Sequence, residues 1–491
     1  MPEENDRNSF AQGVAKRTVL LTAGRFVSKL LVFFMVRLYT ACLSPAEYSL
    51  ADLLTDTANL LIPLASLGIS DGIFRNAADP MQDKQAYLTA GLAVLGGGSL
   101  LFLALSPILN CIPLFEGTAW LIVLYVLLSN LHAVVSQYLY AVGRVRLFAG
   151  QGILNTVLII ALNLVFLPGL DLGVTGYVMS TFVADGLTTL FLILYTRLWR
   201  SVRRMSPREI WATAKPMLRF CLPLIPATVC WWVTSVSDRY MISAMRSAAE
   251  NGLYAAAYKI PTILTYAVSI FSIAWKGSVS AEADDPARWE EHYTRSWCGY
   301  VAVAFVGGGS LILLSRLLAG MLYAEEYRAA WTYIPVLTVA TVLAGLDTFL
   351  DSVYFTARRT VWSLISAASG AGLNLLLNVL WIPRYGAMGA SVATAVSYLC
   401  VLVIRLVTTH RLIPFRRECG RLALNTAVLA LLACCATMAG EACVDPKWGW
   451  LAAAAACLVL IGLNAKTMIH ICSGLARRLC GRRGGKENEN P

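Results

Sequence analysis

The sequence is short of charge. Asp, Glu, Lys and Arg make up only 14% of its 491 residues, against about 25% in soluble domains. With 57% hydrophobic residues and a mean hydropathy of +0.63, the chain cannot clothe a water-facing surface in polar side chains. That excludes a large soluble α/β protein. Marks of a metal or catalytic centre are also missing. The four histidines (His132, His292, His410 and His470) lie far apart and form no H-x-x-x-H pattern. The thirteen cysteines are scattered, mostly in apolar segments, with no C-x-x-C pair. They read as small core residues, without disulfides or a structural metal. A cleavable signal is lacking as well: residues 1–17 are polar, and the first apolar run carries Arg25, Lys29 and Arg37.

What the chain has is long apolar runs. Stretches of about 20 residues, enough to cross a hydrocarbon core as helix, recur near 18–40, 52–73, 86–109, 118–141, 147–167, 174–197, 219–243, 252–275, 297–319, 331–355, 360–382, 387–409, 421–440 and 448–470. Transmembrane strands would alternate apolar and polar residues, and these runs do not. The pattern predicts an all-α polytopic membrane protein with about 14 transmembrane helices. If the N-terminus is placed inside, about 29 Lys and Arg fall in inside segments and about 4 outside, as the positive-inside rule requires. Both termini are then expected in the cytoplasm. The +11 net charge reflects topology, so the bilayer is the expected surrounding and no nucleic acid is expected as a partner.

The runs are duplicated. "VLGGGSL" (94–100) returns as "FVGGGSL" (305–311), an offset of 211. "LSPAEYSL" (43–50) matches "RSAAENGL" (246–253), with Glu47 and Glu250 offset by 203. "YAVGR" (140–144), "NLVFLP" (163–168) and "GVTG" (173–176) match "YFTAR" (354–358), "NVLWIP" (378–383) and "GAMG" (386–389) at offsets of 213 to 215. The order is kept, which marks a repeat. The predicted organisation is a cytoplasmic tail (1–17), an N-lobe of helices 1–6 (18–198), a basic cytoplasmic linker (199–216), a C-lobe of helices 7–12 (217–409), helices 13–14 (410–471) and a basic, polar cytoplasmic tail (472–491). The two six-helix lobes run parallel, an arrangement suited to a transporter that rocks two halves around a central site.

Ionisable side chains inside the spans are costly and mark cavities or partners. Helix 1 carries Arg25 and Lys29 one turn apart, and has no acid to neutralise them. A cavity lined by such cations suits a phosphate or pyrophosphate. Helix 7 carries Asp238 and Arg239, helix 8 Lys259, helix 10 Asp347 and Asp351, and helix 6 Asp185. Asp347 and Asp351 can instead serve as partners of Arg239 or Lys259. Fold-keeping positions repeat between the copies while charged ones do not: Asp238 corresponds to Met35.

The segments "LTAGRFVSKLLVFFMVRLYTACLSPAEYSLADL", "LLIPLASLGISDGIFR", "SVSDRYMISAM" and "LYAAAYKIPTILTYAVSIFSIAW" resemble the bacterial polysaccharide and oligosaccharide flippases of the MATE-like multidrug/oligosaccharidyl-lipid/polysaccharide superfamily. Lipid II flippases and stage V sporulation protein B belong to the same group. The resemblance spans roughly 15–415 and consists of diffuse helical patterns. It implies a non-enzymatic, alternating-access flippase of the bacterial cytoplasmic membrane. The implied cargo is an undecaprenyl-pyrophosphate-linked oligosaccharide, made and used by glycosyltransferases and a polysaccharide polymerase of one pathway.

By the same resemblance, Arg25 and Lys29 hold the pyrophosphate, with Arg239 and Lys259 assisting. A cation site, for Na+ or H+ as coupling ion, falls on Asp238, Asn374, Asn378 and Thr394. The chain departs from the family pattern at Asn378, where relatives place a second acid. No other cofactor is implied. Helices 13 and 14 either line a groove for the polyprenyl tail or pack peripherally. The nearest rival is a MATE-type multidrug antiporter, which commonly carries an acid in helix 1 where this chain has cations. A membrane enzyme of polysaccharide synthesis would need a long outside loop that the sequence lacks.

Overall fold

The computed structural model describes residues 33–78, 83–266, 286–356, 359–413, 415–440 and 446–484. Arg25 and Lys29 lie outside these residues, as does 267–275 of the eighth apolar run. All regular structure among the described residues is helical, and ten helices are long and apolar enough to cross a membrane. They become eleven if a bent pair is one span. This is a multi-pass membrane protein. One 50-residue span, Val361–His410, covers two of the expected runs, and it bends where Gly386 takes φ 58°.

The helices start and stop for local reasons. After α1 (Val36–Cys42), Ser44 opens α2 (Pro45–Ala65) with a capping box in which Ser44 and Glu47 satisfy each other's backbone N–H groups. The left-handed pair Leu67 and Gly68 ends it, and α3 (Ile69–Ala77) leaves at 55°. Asp83 caps α4 (Lys84–Leu105), and α5 (Ala119–Ala141), α6 (Val145–Leu164) and α7 (Gly173–Thr196) follow. The second half of the basic linker is itself helical: α8 (Pro207–Cys221) repeats the Ser-x-x-Glu box with Ser206 and Glu209. Next come α9 (Leu224–Met245), α10 (Ala248–Lys259), α11 (Pro286–Leu322), α12 (Ile334–Thr356), α13 (Thr360–His410), α14 (Cys419–Gly440) and α15 (Pro446–Gly484).

Two compact units result. The first comprises Met1–Ala256, Leu322–Tyr327 and Asn378–Gly386; the second comprises Ala257–Met321, Arg328–Leu377 and Ala387–Pro491. In the first, Ile73, Leu88, Val135, Leu139 and Met217 form one buried cluster, and Leu54, Leu121, Val126 and Phe182 another. In the second, Trp297, Phe305, Phe349, Leu429 and Leu460 are fully packed. Leu100, Leu101, Val157, Leu431 and Leu458 point outward. On a soluble protein such a surface would aggregate; on a membrane protein it faces lipid. The repeated glycines serve close packing in part. A Cβ at Gly98 would strike the Ala65 carbonyl, and one at Gly308 the Val342 side chain, while Gly96 and Gly97 face open space.

Candidate functional site

The sequence repeat is visible in the first unit as a duplicated helix cap. Ser247 accepts a hydrogen bond from the Glu250 backbone N–H at 3.1 Å, as Ser44 does from Glu47 at 3.4 Å. Each glutamate lies beside a left-handed glycine, Gly173 (φ 51°) or Gly386 (φ 58°). The two helix starts also touch. Asn251 Nδ2 donates to Ser49 Oγ at 2.8 Å, deep in the unit. Gly252 sits so close to the Pro45 carbonyl that no Cβ would fit. Around this contact Arg37 donates to the Tyr323 carbonyl, and the Tyr327 hydroxyl donates to the Leu43 carbonyl at 2.9 Å. Burial raises the pKa of the Tyr327 hydroxyl, so it stays a donor.

Below the cap, α2 and α9 are locked by charge. Arg239 Nη1 lies 2.6 Å from Asp52 Oδ2 and 2.6 Å from Asp56 Oδ2. Arg239 and Asp52 are buried. Trp232 Nε1 donates to the Asp56 carbonyl at 3.0 Å, and the Tyr240 hydroxyl, 2.6 Å from Thr57 Oγ1, donates to the Leu53 carbonyl at 3.1 Å. Asp52 and Asp56 stand at the edge of the apolar run 52–73, where acids read as interfacial, and the structure adds them to the candidate site residues. The signal was present: Ser44 and Glu47 form a capping box in the sequence, and Asp52 and Asp56 stand one turn apart behind it.

The expected cation-site residues are all buried. Tyr254 donates its hydroxyl to Asp238 Oδ2 at 2.5 Å, and the Arg239 N–H donates to Asp238 Oδ1 at 2.9 Å. In the second unit Asn374 Nδ2 donates to Thr394 Oγ1 at 3.3 Å, joining the two arms of α13. Asn378 lies in the part of that helix assigned to the first unit. Lys259 is the last residue of α10 and is half-buried.

The other intramembrane acids have found different partners. Asp351 pairs with Arg405 at 3.2 Å, and Arg405 also donates to the Asp347 carbonyl at 2.6 Å and to Ser366 Oγ at 3.0 Å. The cation partnered by Asp351 is therefore Arg405, rather than Arg239 or Lys259. Arg405 stands near the end of the predicted run 387–409, and the structure buries it within α13. The Asp347 carboxylate makes no hydrogen bond among the described residues. Asp185 has no cation partner among them. It accepts from Ser129 Oγ at 2.5 Å and Asn155 Nδ2 at 2.8 Å. His132, set aside as a lone histidine, stands nearby with Nδ1 3.1 Å from Thr189 Oγ1. Thr189 in turn donates to the Asp185 carbonyl at 2.6 Å.

Ionisable and polar side chains buried between membrane-spanning helices are costly and mark the positions where function or an interhelical partner keeps them. The family model described as polysaccharide biosynthesis protein matches residues 14–275, more than half of the chain. The chain belongs to this polysaccharide biosynthesis protein family. No curated protein matches the sequence. Among solved structures, this family member is similar to the lipid II flippase MurJ in an inward closed conformation. The TM-score is 0.64 at 14% identity, covering 94% of this chain and 100% of that one. It is also similar to a transporter of the MOP superfamily from Pyrococcus furiosus, with a TM-score of 0.59 at 14% identity, covering 85% and 96%. A multidrug resistance MATE family transporter in an outward-facing conformation gives 0.56 at 17%, covering 81% and 96%. At these identities the likeness establishes the shared fold.

Proposed function

We propose that this protein is an alternating-access flippase that carries an undecaprenyl-pyrophosphate-linked oligosaccharide from the inner to the outer leaflet of a bacterial cytoplasmic membrane. The family match over residues 14–275 is the observation that carries the reading. In this proposal the chain crosses the membrane fourteen times with both termini inside. The two lobes are 18–198 and 217–409, and 410–471 is a C-terminal pair beside them. Glycosyltransferases supply the cargo and a polymerase takes it.

Arg25 and Lys29 hold the pyrophosphate, whose double charge matches two cations one turn apart. Arg239 and Lys259 assist. Asp52 and Asp56 engage Arg239 in the state seen, so Arg239 becomes available to an anion only when α2 and α9 part. Asp238, Asn374, Asn378 and Thr394 form the coupling-cation site. One carboxylate with amide and hydroxyl oxygens suits a hard cation.

The test is transport of a fluorescent undecaprenyl-pyrophosphate sugar in liposomes. The expected outcome is transport by the native protein and loss in the Arg25→Ala, Lys29→Ala double variant at equal protein level. Unchanged transport in that variant would remove the two residues from the site. Efflux of a cationic dye without lipid transport would replace the proposal with a MATE-type antiporter.

A further inference from the structure

The second unit holds a cationic cavity that the proposed transport cycle does not use. It has a volume of about 690 Å³ and is lined by residues from the end of α13, from 415–417, from the start of α14 and from the first turns of α11. His410, Arg411, Arg416 and Arg417 line it, and Glu290 is its one acid among the described residues.

Two observations separate this cavity from an ordinary solvated loop. The first is the state of its arginines. Nearby Arg405 and Arg421 each have a carboxylate partner, Asp351 at 3.2 Å and Glu418 at 2.9 Å. Arg411, Arg416 and Arg417 have none among the described residues. Arg417 is also buried, at 6% exposure. Its Nη atoms donate to the Leu406 and Ile413 carbonyls at 2.9 and 3.2 Å, and its guanidinium stacks 4.5 Å over Phe415. Its Nε has no hydrogen-bond partner among the described residues. A buried guanidinium without an anion is costly. The segment that carries it is nevertheless held in place: Trp297 Nε1 donates to the Arg417 carbonyl at 3.1 Å, and the Arg416 N–H donates to Thr294 Oγ1 at 3.1 Å. The second observation is the apolar wall. Leu406 and Val407 line the same cavity. They belong to the end of the Val361–His410 span, and Val407 is 58% exposed.

We propose that this cavity binds the phosphate of an anionic phospholipid, with Arg411, Arg416 and Arg417 around the headgroup and an acyl chain along Leu406 and Val407. A free phosphate would use the arginines but leave the apolar wall bare. A basic pocket at the membrane end of a span is the geometry that draws anionic headgroups.

Binding is tested on the full chain in neutral detergent, titrated with phosphatidylglycerol, with phosphatidylcholine of the same chains, and with inorganic phosphate. Bound lipid is counted by native mass spectrometry, and the unfolding temperature is followed in parallel. Phosphatidylglycerol is expected to bind and to raise the unfolding temperature more than phosphatidylcholine does. The Arg411→Gln, Arg416→Gln variant, changed only at exposed side chains, is expected to bind it roughly 10- to 30-fold more weakly. The single Arg416→Glu variant is expected to weaken it as well. Arg203→Gln, Arg208→Gln, in the linker, should bind as the native chain does. Equal binding of phosphatidylcholine, undiminished binding in the cavity variants, or equal loss in the linker variant overturns the proposal. So does an equal effect of inorganic phosphate, which would assign the cavity to the free anion. The readout is binding, so a failed transport assay leaves this result standing.

Discussion

The starts of α2 and α10 carry the same cap and diverge in charge along the helix. At the shared offset of 203, Ser44 and Glu47 correspond to Ser247 and Glu250, but Asp52 corresponds to Ala255 and Asp56 to Lys259. On the partner helices, Arg239 corresponds to Val36. A cap satisfies its own helix and works wherever the helix goes. A charge in a membrane needs a partner from another helix, so it is kept only where that partner exists. The duplicated elements therefore share backbone chemistry, while the Asp52–Arg239–Asp56 lock occurs once among the described residues.

The sharpest way to break this comparison is to remove the cation from the lock. Arg239→Ala would leave two carboxylates without their cation and should cost about 3–5 kcal/mol, read as a lower unfolding temperature in detergent. Adding Asp52→Asn and Asp56→Asn should restore most of it, because the uncompensated charge causes the loss. Arg203→Ala breaks an ion pair with Asp83 whose side chains are 61% and 50% exposed, and should stay within about 0.5 kcal/mol. Similar losses for Arg239→Ala and Arg203→Ala would show that the lock is ordinary surface pairing.

The next contrast lies in the caps. Gly252→Ala pushes a methyl into the Pro45 carbonyl, a backbone atom that cannot swing aside, and should cost about 2–3 kcal/mol. At the equivalent position Ser49→Ala removes only the acceptor of the Asn251 side chain, for about 1 kcal/mol. Gly386→Ala and Gly173→Ala separate crowding from backbone strain. Both residues are left-handed, but a Cβ at Gly386 meets the Glu250 carboxylate, while at Gly173 the Glu47 oxygen stands 3.9 Å away. Gly386→Ala should be the worse by about 1 kcal/mol. Equal losses would attribute both to φ alone.

How much of this was legible follows from what each feature depends on. The all-helical class and the multi-pass membrane character need only local sequence, and they read correctly. The duplicated caps were legible as "SPAE" and "SAAE", since a capping box is a four-residue pattern. The pairing of Asp52 and Asp56 with Arg239 was not, although the acids' one-turn spacing was. Their partner lies more than 180 residues away, and nothing local distinguishes Arg239 from Arg405 as a partner for a given acid. The same gap in range hid the Asp351–Arg405 pair and the Asp185 neighbourhood of His132. Arg25 and Lys29, singled out as intramembrane cations and assigned to the pyrophosphate by the resemblance as well, fall outside the described residues.

The smallest expected effects compare the remaining two acids. Asp185 is satisfied by donors alone, Ser129 and Asn155. Asp185→Asn turns one acceptor into a donor facing a donor and should cost about 1–2 kcal/mol. Asp351 is partnered by Arg405, but its side chain is 43% exposed, so water screens the pair. After Asp351→Asn the guanidinium still donates to the Asp347 carbonyl and to Ser366, and the loss should stay below about 1 kcal/mol. If Asp351 only pairs with Arg405, transport by this variant should equal that of the native protein at matched amounts. A variant as stable as the native protein that loses the proposed lipid transport would mean that the Asp351 charge takes part in it beyond its pairing with Arg405.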